Sequence, residues 1–146
     1  MAVIVCRRGI ATDELALVAL DRSMGTGDGR ARLIADAIGS ADCLVSERDD
    51  EVVGYAIMRP RHFFERDFVE LLVVVTEHRR EGVGRSLLRA AVAESSTSRV
   101  FTSTNASNIA MQDLLASEGW SFSGELFGLD DGDPERVYYL DRPRVR

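Results

Sequence analysis

The segment that most limits the fold of this chain is Phe-Val-Glu-Leu-Leu-Val-Val-Val, residues 68–75. It is short, β-branched and almost wholly apolar, which predicts a strand buried on both faces. A polar turn, Thr76–Glu81, follows it. Gly82–Ser95 then carries Val83, Leu87, Leu88, Ala91 and Val92 at helical spacing. A buried strand that passes through a glycine-containing turn into a helix is a unit of an α/β sheet.

The rest of the chain fits around that unit. Val3–Cys6 reads as a first strand. Thr12 or Asp13 can cap a helix whose apolar face carries Leu15, Val18 and Ala19. Gly25, Gly27 and Gly29 make a flexible loop before a second helix, Ala31–Ile38. Cys43–Glu47 and Val52–Arg59 flank the polar turn Arg48–Glu51 as a hairpin, and Pro60 ends its second strand. Arg61–Asp67 is a charged and aromatic connection. Arg99–Thr104 is a strand, Ser107 or Asn108 caps a helix to about Ser117, and Gly119 stops it. Strands near Trp120–Leu129 and Arg136–Leu140 bracket the acidic loop Asp130–Glu135. The order β-α-α-β-β-β-α-β-α-β-β predicts a mixed sheet with helices on both faces. The 146 residues suit a single domain over 1–146.

Charge narrows the function. All 18 basic residues other than histidine are arginine, and the formal net charge is −6. Without lysine the chain has no Schiff-base residue and no Walker-type phosphate lysine. The acidic balance argues against nucleic acid or anionic lipid as a partner. Cys6 and Cys43 read as reduced thiols, too few for a disulfide framework. Met1–Cys6 is a short apolar run followed, not preceded, by Arg7-Arg8, unlike an export signal. No stretch approaches the roughly 20 apolar residues of a membrane span. The expected location is the cytoplasm.

The turn before the third helix carries the chemistry: Arg79-Arg80-Glu81-Gly82-Val83-Gly84-Arg85. A helix N-terminus gathers free N–H groups and a positive dipole end, so it suits an anion. The glycines let a bulky phosphate approach the backbone. The arginines stay charged at any working pH. A Walker loop would need Gly-Lys-Ser/Thr, and a dinucleotide loop would read Gly-x-Gly-x-x-Gly. The spacing present is Arg-x-x-Gly-x-Gly.

Val74–Leu88, with that spacing, resembles the acyl-CoA signature of the GNAT superfamily of N-acetyltransferases. Thr104-Asn105-Ala106-Ser107-Asn108, then Leu114-Leu115 and Glu118-Gly119-Trp120, resembles the family's next block. The match is tight from about Phe68 to Trp120 and only topological elsewhere. It implies a mixed, mostly antiparallel α/β sheet in which parallel strands 4 and 5 splay apart, with helices on both faces. It also implies acetyl-CoA as cosubstrate, with pantetheine lying in the split, and no metal. By the same resemblance, the backbone of Leu72, Val73 and Val74 binds pantetheine. Arg79, Arg80, Glu81, Gly82, Val83, Gly84 and Arg85 cradle the pyrophosphate. Asn105 and Asn108 lie near the thiol end, although Asn108 also reads as a plain N-cap.

Acyl transfer from a thioester to an amine needs the amine neutral, the developing oxyanion stabilised and the thiolate released. Glu70, a carboxylate on the central strand, is the candidate general base, since burial there would raise its pKa. It also reads as a rim carboxylate paired with Arg59 or Arg61. Two departures from the family pattern concern the other steps. Leu115 stands where many relatives carry a proton-donating tyrosine, and Ser103 where N-terminal acetyltransferases carry a glutamate. Tyr55, Tyr138 or Tyr139 could substitute, but strand tyrosines usually pack. His78 reads as solvated, His62 as a weak candidate for the acceptor side, and Cys43 as a core thiol.

The function implied is acetyl transfer to a primary amine of a small molecule, peptide or protein. Met24–Arg30, Pro60–Asp67 and Asp130–Glu135 are the variable loops expected to form the acceptor pocket. The acidic loop could attract a cationic acceptor or be only a solvated turn. Relatives often form a homodimer through the last hairpin. The alternative reading is a catalytically silent acyl-CoA-binding or sensor module, which Leu115 and Ser103 keep open.

Overall fold

The computed structural model describes residues 3–25 and 29–142. They form β1 (Ile4–Arg8), α1 (Glu14–Ser23), α2 (Gly29–Gly39), β2 (Cys43–Arg48), β3 (Glu51–Phe63), β4 (Arg66–Val74), α3 (Val83–Glu94), β5 (Arg99–Asn105), α4 (Ile109–Ser117), β6 (Ser121–Leu126) and β7 (Glu135–Asp141). Short 3-10 turns precede α1 at Ala11–Asp13 and follow β4 at Thr76–His78. The strands make a seven-stranded sheet in the order β1-β2-β3-β4-β5-β7-β6. β4 and β5 are parallel, whereas β1-β2, β2-β3, β5-β7 and β6-β7 are antiparallel. This is the mixed, mostly antiparallel α/β fold the sequence predicts, with its elements in the predicted order. Among the described residues no helix is long and apolar enough to cross a membrane.

The chain divides into two compact units, Met1–Met58 with Leu71–Glu94, and Arg59–Glu70 with Ser95–Arg146. In the first, Leu17, Leu20, Ile34, Ala37, Cys43, Val45, Tyr55, Ile57 and Val73 make the core. Successive strand residues face opposite sides, and β3 uses both. Tyr55 donates its hydroxyl to Asp21 of α1 at 2.7 Å, while Gly54 meets Val83 and Leu87 of α3. Helices therefore cover both faces of this part of the sheet.

Three local expectations are corrected. Leu15 is 84% exposed, and α1 buries Leu17, Leu20 and Asp21 instead. The phase follows from an anchor: Asp13 takes Arg7 at 2.8 and 2.9 Å and the Ile10 N–H at 2.8 Å. Asp13 is thereby spent before the helix begins, and makes no side-chain cap to it. Second, Pro60 does not end β3, which runs on to Phe63. The register with β2 ends at the Cys43–Ile57 pair, so no partner on that side asks Pro60 for an N–H. The Arg61–Asp67 connection is thus mostly strand, turned by left-handed Phe64 and Glu65. Third, β4 is not buried on both faces. Asp67, Val69 and Val73 are buried, but Glu70 is exposed and the intervening residues are half-buried.

In the second unit Phe63 stacks on Phe68 and meets Phe101, with ring centroids 5.1 and 5.0 Å apart. Asp67, 1% exposed, pins this hairpin to the connection between α3 and β5. Its carboxylate accepts from Arg61 N at 2.9 Å, Ser95 Oγ at 2.6 Å and Ser96 N at 2.9 Å. Burial pushes its pKa up, but the bonds from Ser95, Arg61, Ser96 and Thr97 outweigh burial and leave it below the ordinary aspartate value. A carboxyl depressed on folding stabilises above its unfolded pKa of about 4 and loses that contribution as pH falls through the folded value. Asp67→Asn is therefore expected to cost about 2 kcal/mol at pH 7 in urea unfolding. The gap to wild type should shrink below about pH 4 as the wild-type carboxyl takes up its proton.

Candidate active site

The end of β4 is fixed to β3 by Val75 N donating to Val53 O at 2.9 Å. The chain then makes its 3-10 turn and enters the glycine loop. Arg79 donates from Nε to Val74 O at 3.3 Å, which ties the loop to the strand before it. Arg80 and Gly82 are left-handed, with φ 64° and 89°. Glycine is required at 82 by that angle and not by crowding, because no atom lies within 4 Å of where its Cβ would be. The first turn bond of α3 runs from Ser86 N to Gly82 O at 3.0 Å. The N–H groups of Val83, Gly84 and Arg85 precede it and have no acceptor within the helix. Three amides and the guanidinium groups of Arg79, Arg80 and Arg85 thus sit on one short loop at the positive end of a 12-residue helix. That donor set fits a diphosphate.

Glu81, the acid within this loop, is turned onto its own partners. Its Oε2 lies 2.8 Å from Arg48 Nε and 3.0 Å from His78 Nδ1. His78 is thus half-buried and paired, not simply solvated. Beside it a groove of about 370 Å³ runs along α1, floored by Ala16, Leu20, Val52 and Val75, with Glu77 and His78 on its polar side.

The parallel register of β4 with β5 covers three pairs, Asp67–Val100, Phe68–Phe101 and Val69–Thr102. Thr102 Oγ1 then donates to Val69 O at 2.8 Å, a side-chain bond at the end of the ladder. β4 continues through Leu72, Val73 and Val74. Glu70, the next residue after the last pair, is exposed and bound by Arg59, Nε to Oε2 3.0 Å. The burial expected to tune this carboxylate is absent, and the pairing with Arg59 is the one the sequence offered as its other reading.

Asn108 caps α4, its side chain accepting from Met111 N at 3.1 Å. Asn105 donates to Asp130 Oδ2 at 2.9 Å, and Asp133 holds Ser107 through N at 2.9 Å and Oγ at 2.6 Å. Two acids of the loop after β6 are therefore engaged with the β5–α4 connection. Among the candidate proton donors, Tyr55 is fully buried, and burial followed by its bond to Asp21 raises its pKa well above the ordinary phenol value. Its proton is committed to Asp21. Tyr138 is 6% exposed and bonded to Arg136, and Tyr139 packs on Phe101. Leu115 is fully buried. Of the Met24–Arg30 loop, residues 26–28 lie outside the described residues. His62 is exposed, its Nδ1 3.4 Å from Pro60 O.

Residues 20–120 match the family model described as the acetyltransferase (GNAT) family. The chain belongs to the GNAT acetyltransferase family. A GNAT-family acetyltransferase from Bacillus cereus is 30% identical with a TM-score of 0.91, over 97% of this chain and 99% of that one. Diaminobutyrate acetyltransferase from Paenibacillus lautus, solved with L-2,4-diaminobutyric acid and coenzyme A, shares the fold. It is 18% identical with a TM-score of 0.77, over 100% of both chains. The ribosomal-protein-S18-alanine N-acetyltransferase of Escherichia coli shares it too, at 16% identity and TM-score 0.81, over 99% and 97% of the two chains. No curated protein gave a significant match.

Sequence reasoning missed Arg48 as a partner of Glu81 in the glycine loop. It sits at the hairpin turn, where a charged residue reads as solvated. No local spacing links it to Glu81, because the contact depends on β2 and the loop meeting in the fold.

Proposed function

We propose that this GNAT protein transfers the acetyl group of acetyl-CoA directly to a primary amine of a small molecule, peptide or protein. The observation that carries the reading is the Arg79–Arg85 loop, with its left-handed Arg80 and Gly82, opening α3 in a member of this family. Acetyl-CoA supplies a thioester, whose acyl carbon accepts the amine as the C–S bond breaks. The chain's residues bind and orient it. The loop amides and Arg79, Arg80 and Arg85 hold the pyrophosphate by charge-assisted hydrogen bonds. The backbone of Leu72, Val73 and Val74 holds the pantetheine, and an N–H of that strand faces the developing oxyanion. Asn105 and Asn108 serve the thiol end in the family pattern.

A free alkylamine has a pKa of about 10, so a proton must be removed before attack. Glu70 is the proposed base. Its exposure suits transfer through a water molecule, and its salt bridge to Arg59 fixes the carboxylate on β4. The thiolate leaves without a tyrosine at position 115 and takes its proton from solvent. Glu70→Gln is expected to lower kcat about 100-fold with little change in CoA affinity, the size of a lost general base. An unchanged pH–rate profile in that variant would remove Glu70 from the mechanism.

The reading is tested by incubating the protein with acetyl-CoA and a panel of amines, and measuring free thiol. Amine-dependent release of CoA-SH supports it. Binding of acetyl-CoA with no amine-dependent thiol would instead mark an acyl-CoA sensor.

A further inference from the structure

Arg48 lies at the end of β2 and pairs with Glu81 of the loop. Glu81 is the one acid between Arg79 and Arg85. An unpaired carboxylate beside a diphosphate site repels its ligand. Here the carboxylate is paired: one oxygen, Oε2, is shared by Arg48 Nε at 2.8 Å and His78 Nδ1 at 3.0 Å. The Arg48 Nε is buried and makes no aligned hydrogen bond, so the 2.8 Å contact is one of charge. Its Nη1 also lies 3.7 Å from Asp49 Oδ2. Glu81 stands between the two left-handed residues Arg80 and Gly82.

We propose that Arg48 is a positioning residue for the phosphate loop. By pairing with Glu81 it offsets the charge of the acid, so that the diphosphate of the cosubstrate meets amides and arginines without an opposing free carboxylate. Arg48 touches no phosphate itself. The inference rests on the acetyl-CoA reading above.

The experiment measures binding of CoA and 3′-dephospho-CoA to the full chain by calorimetry, with steady-state kinetics on acetyl-CoA and on acetyl-pantetheine. Both side chains of the clamp are about one-third exposed, which limits the pair to a modest energy, so Arg48→Gln is expected to weaken both CoA forms about fivefold. KM for acetyl-CoA should rise with kcat unchanged, and acetyl-pantetheine, which lacks the diphosphate, should be used as by wild type. Arg48→Lys should recover much of the loss. Glu81→Gln should tighten CoA, and Arg48→Gln combined with Glu81→Gln should bind like Glu81→Gln alone. If the double variant stays as weak as Arg48→Gln, Arg48 contacts phosphate directly and the clamp is wrong. CoA affinity unchanged in Arg48→Gln also overturns it. Should Arg48→Gln fail to fold, Glu81→Gln decides alone, because weaker binding there contradicts the proposal. A wild-type chain that binds no CoA overturns the acetyl-transfer reading, and this inference with it.

Discussion

Gly54→Ala is expected to cost about 3 kcal/mol of stability, the upper range for overpacking a filled core. A Cβ at Gly54 would stand 2.7 Å from the backbone oxygen of Val73, and 3.2 and 3.3 Å from side-chain carbons of Leu87 and Val83. The side-chain carbons can give way. The carbonyl cannot, because β4 is fixed beside it by the Val75–Val53 bond. Relief requires pushing β4 away from β3 at the segment that leads into the phosphate loop. Chemical denaturation should therefore show a large fall in midpoint, and the soluble fraction should bind CoA weakly. A variant with wild-type stability would mean that β3 and β4 are farther apart here than the structure has them.

The second large effect concerns the loop. Removing both Arg80 and Arg85, as alanines, is expected to raise the KM for acetyl-CoA about 100-fold, from the loss of two charge-assisted contacts of about 1.5 kcal/mol each. The change should sit mostly in KM, because pyrophosphate contacts are made equally in the ground and transition states. Added salt should weaken wild-type binding more than that of the double variant, since exposed charges are screened. A double variant with wild-type KM would leave the anion role of this loop without support. Because Arg85 sits at the start of α3, circular dichroism should accompany the kinetics to separate binding from folding.

Much of the architecture was legible from local pattern. The apolar run 68–75, the periodicity of α3, and the turn residues around β2 and β3 each announce their element within a dozen residues or so. The glycine-arginine loop before α3, proposed here to hold phosphate, was legible for the same reason: its amides, glycines and arginines are contiguous in one stretch. Asn108 was legible as a cap. Misreadings arose where long-range contacts decide. Leu15 fits an apolar helical face, but the Arg7–Asp13 anchor sets a different phase, and Leu17 and Leu20 turn inward. Pro60 signals a strand end, but its lack of an N–H costs little where the β2 register has already finished. Glu70 in an apolar run suggests burial, yet alternation along β4 places it outward against Arg59.

By itself, then, the sequence determined the element order, the family signature and the glycine-arginine loop that opens α3, because each depends on residues adjacent along the chain. Only the tertiary structure decided the partners of the charged groups: Asp130 with Asn105, Asp21 with Tyr55, Arg48 with Glu81, and Arg59 rather than Arg61 with Glu70. An ion pair or a close approach such as Gly54 on Val73 is set by distance in space, and residues remote in sequence carry no local mark of it. The glycine-arginine loop is written in the chain; the partners of its acid Glu81 are a product of the fold.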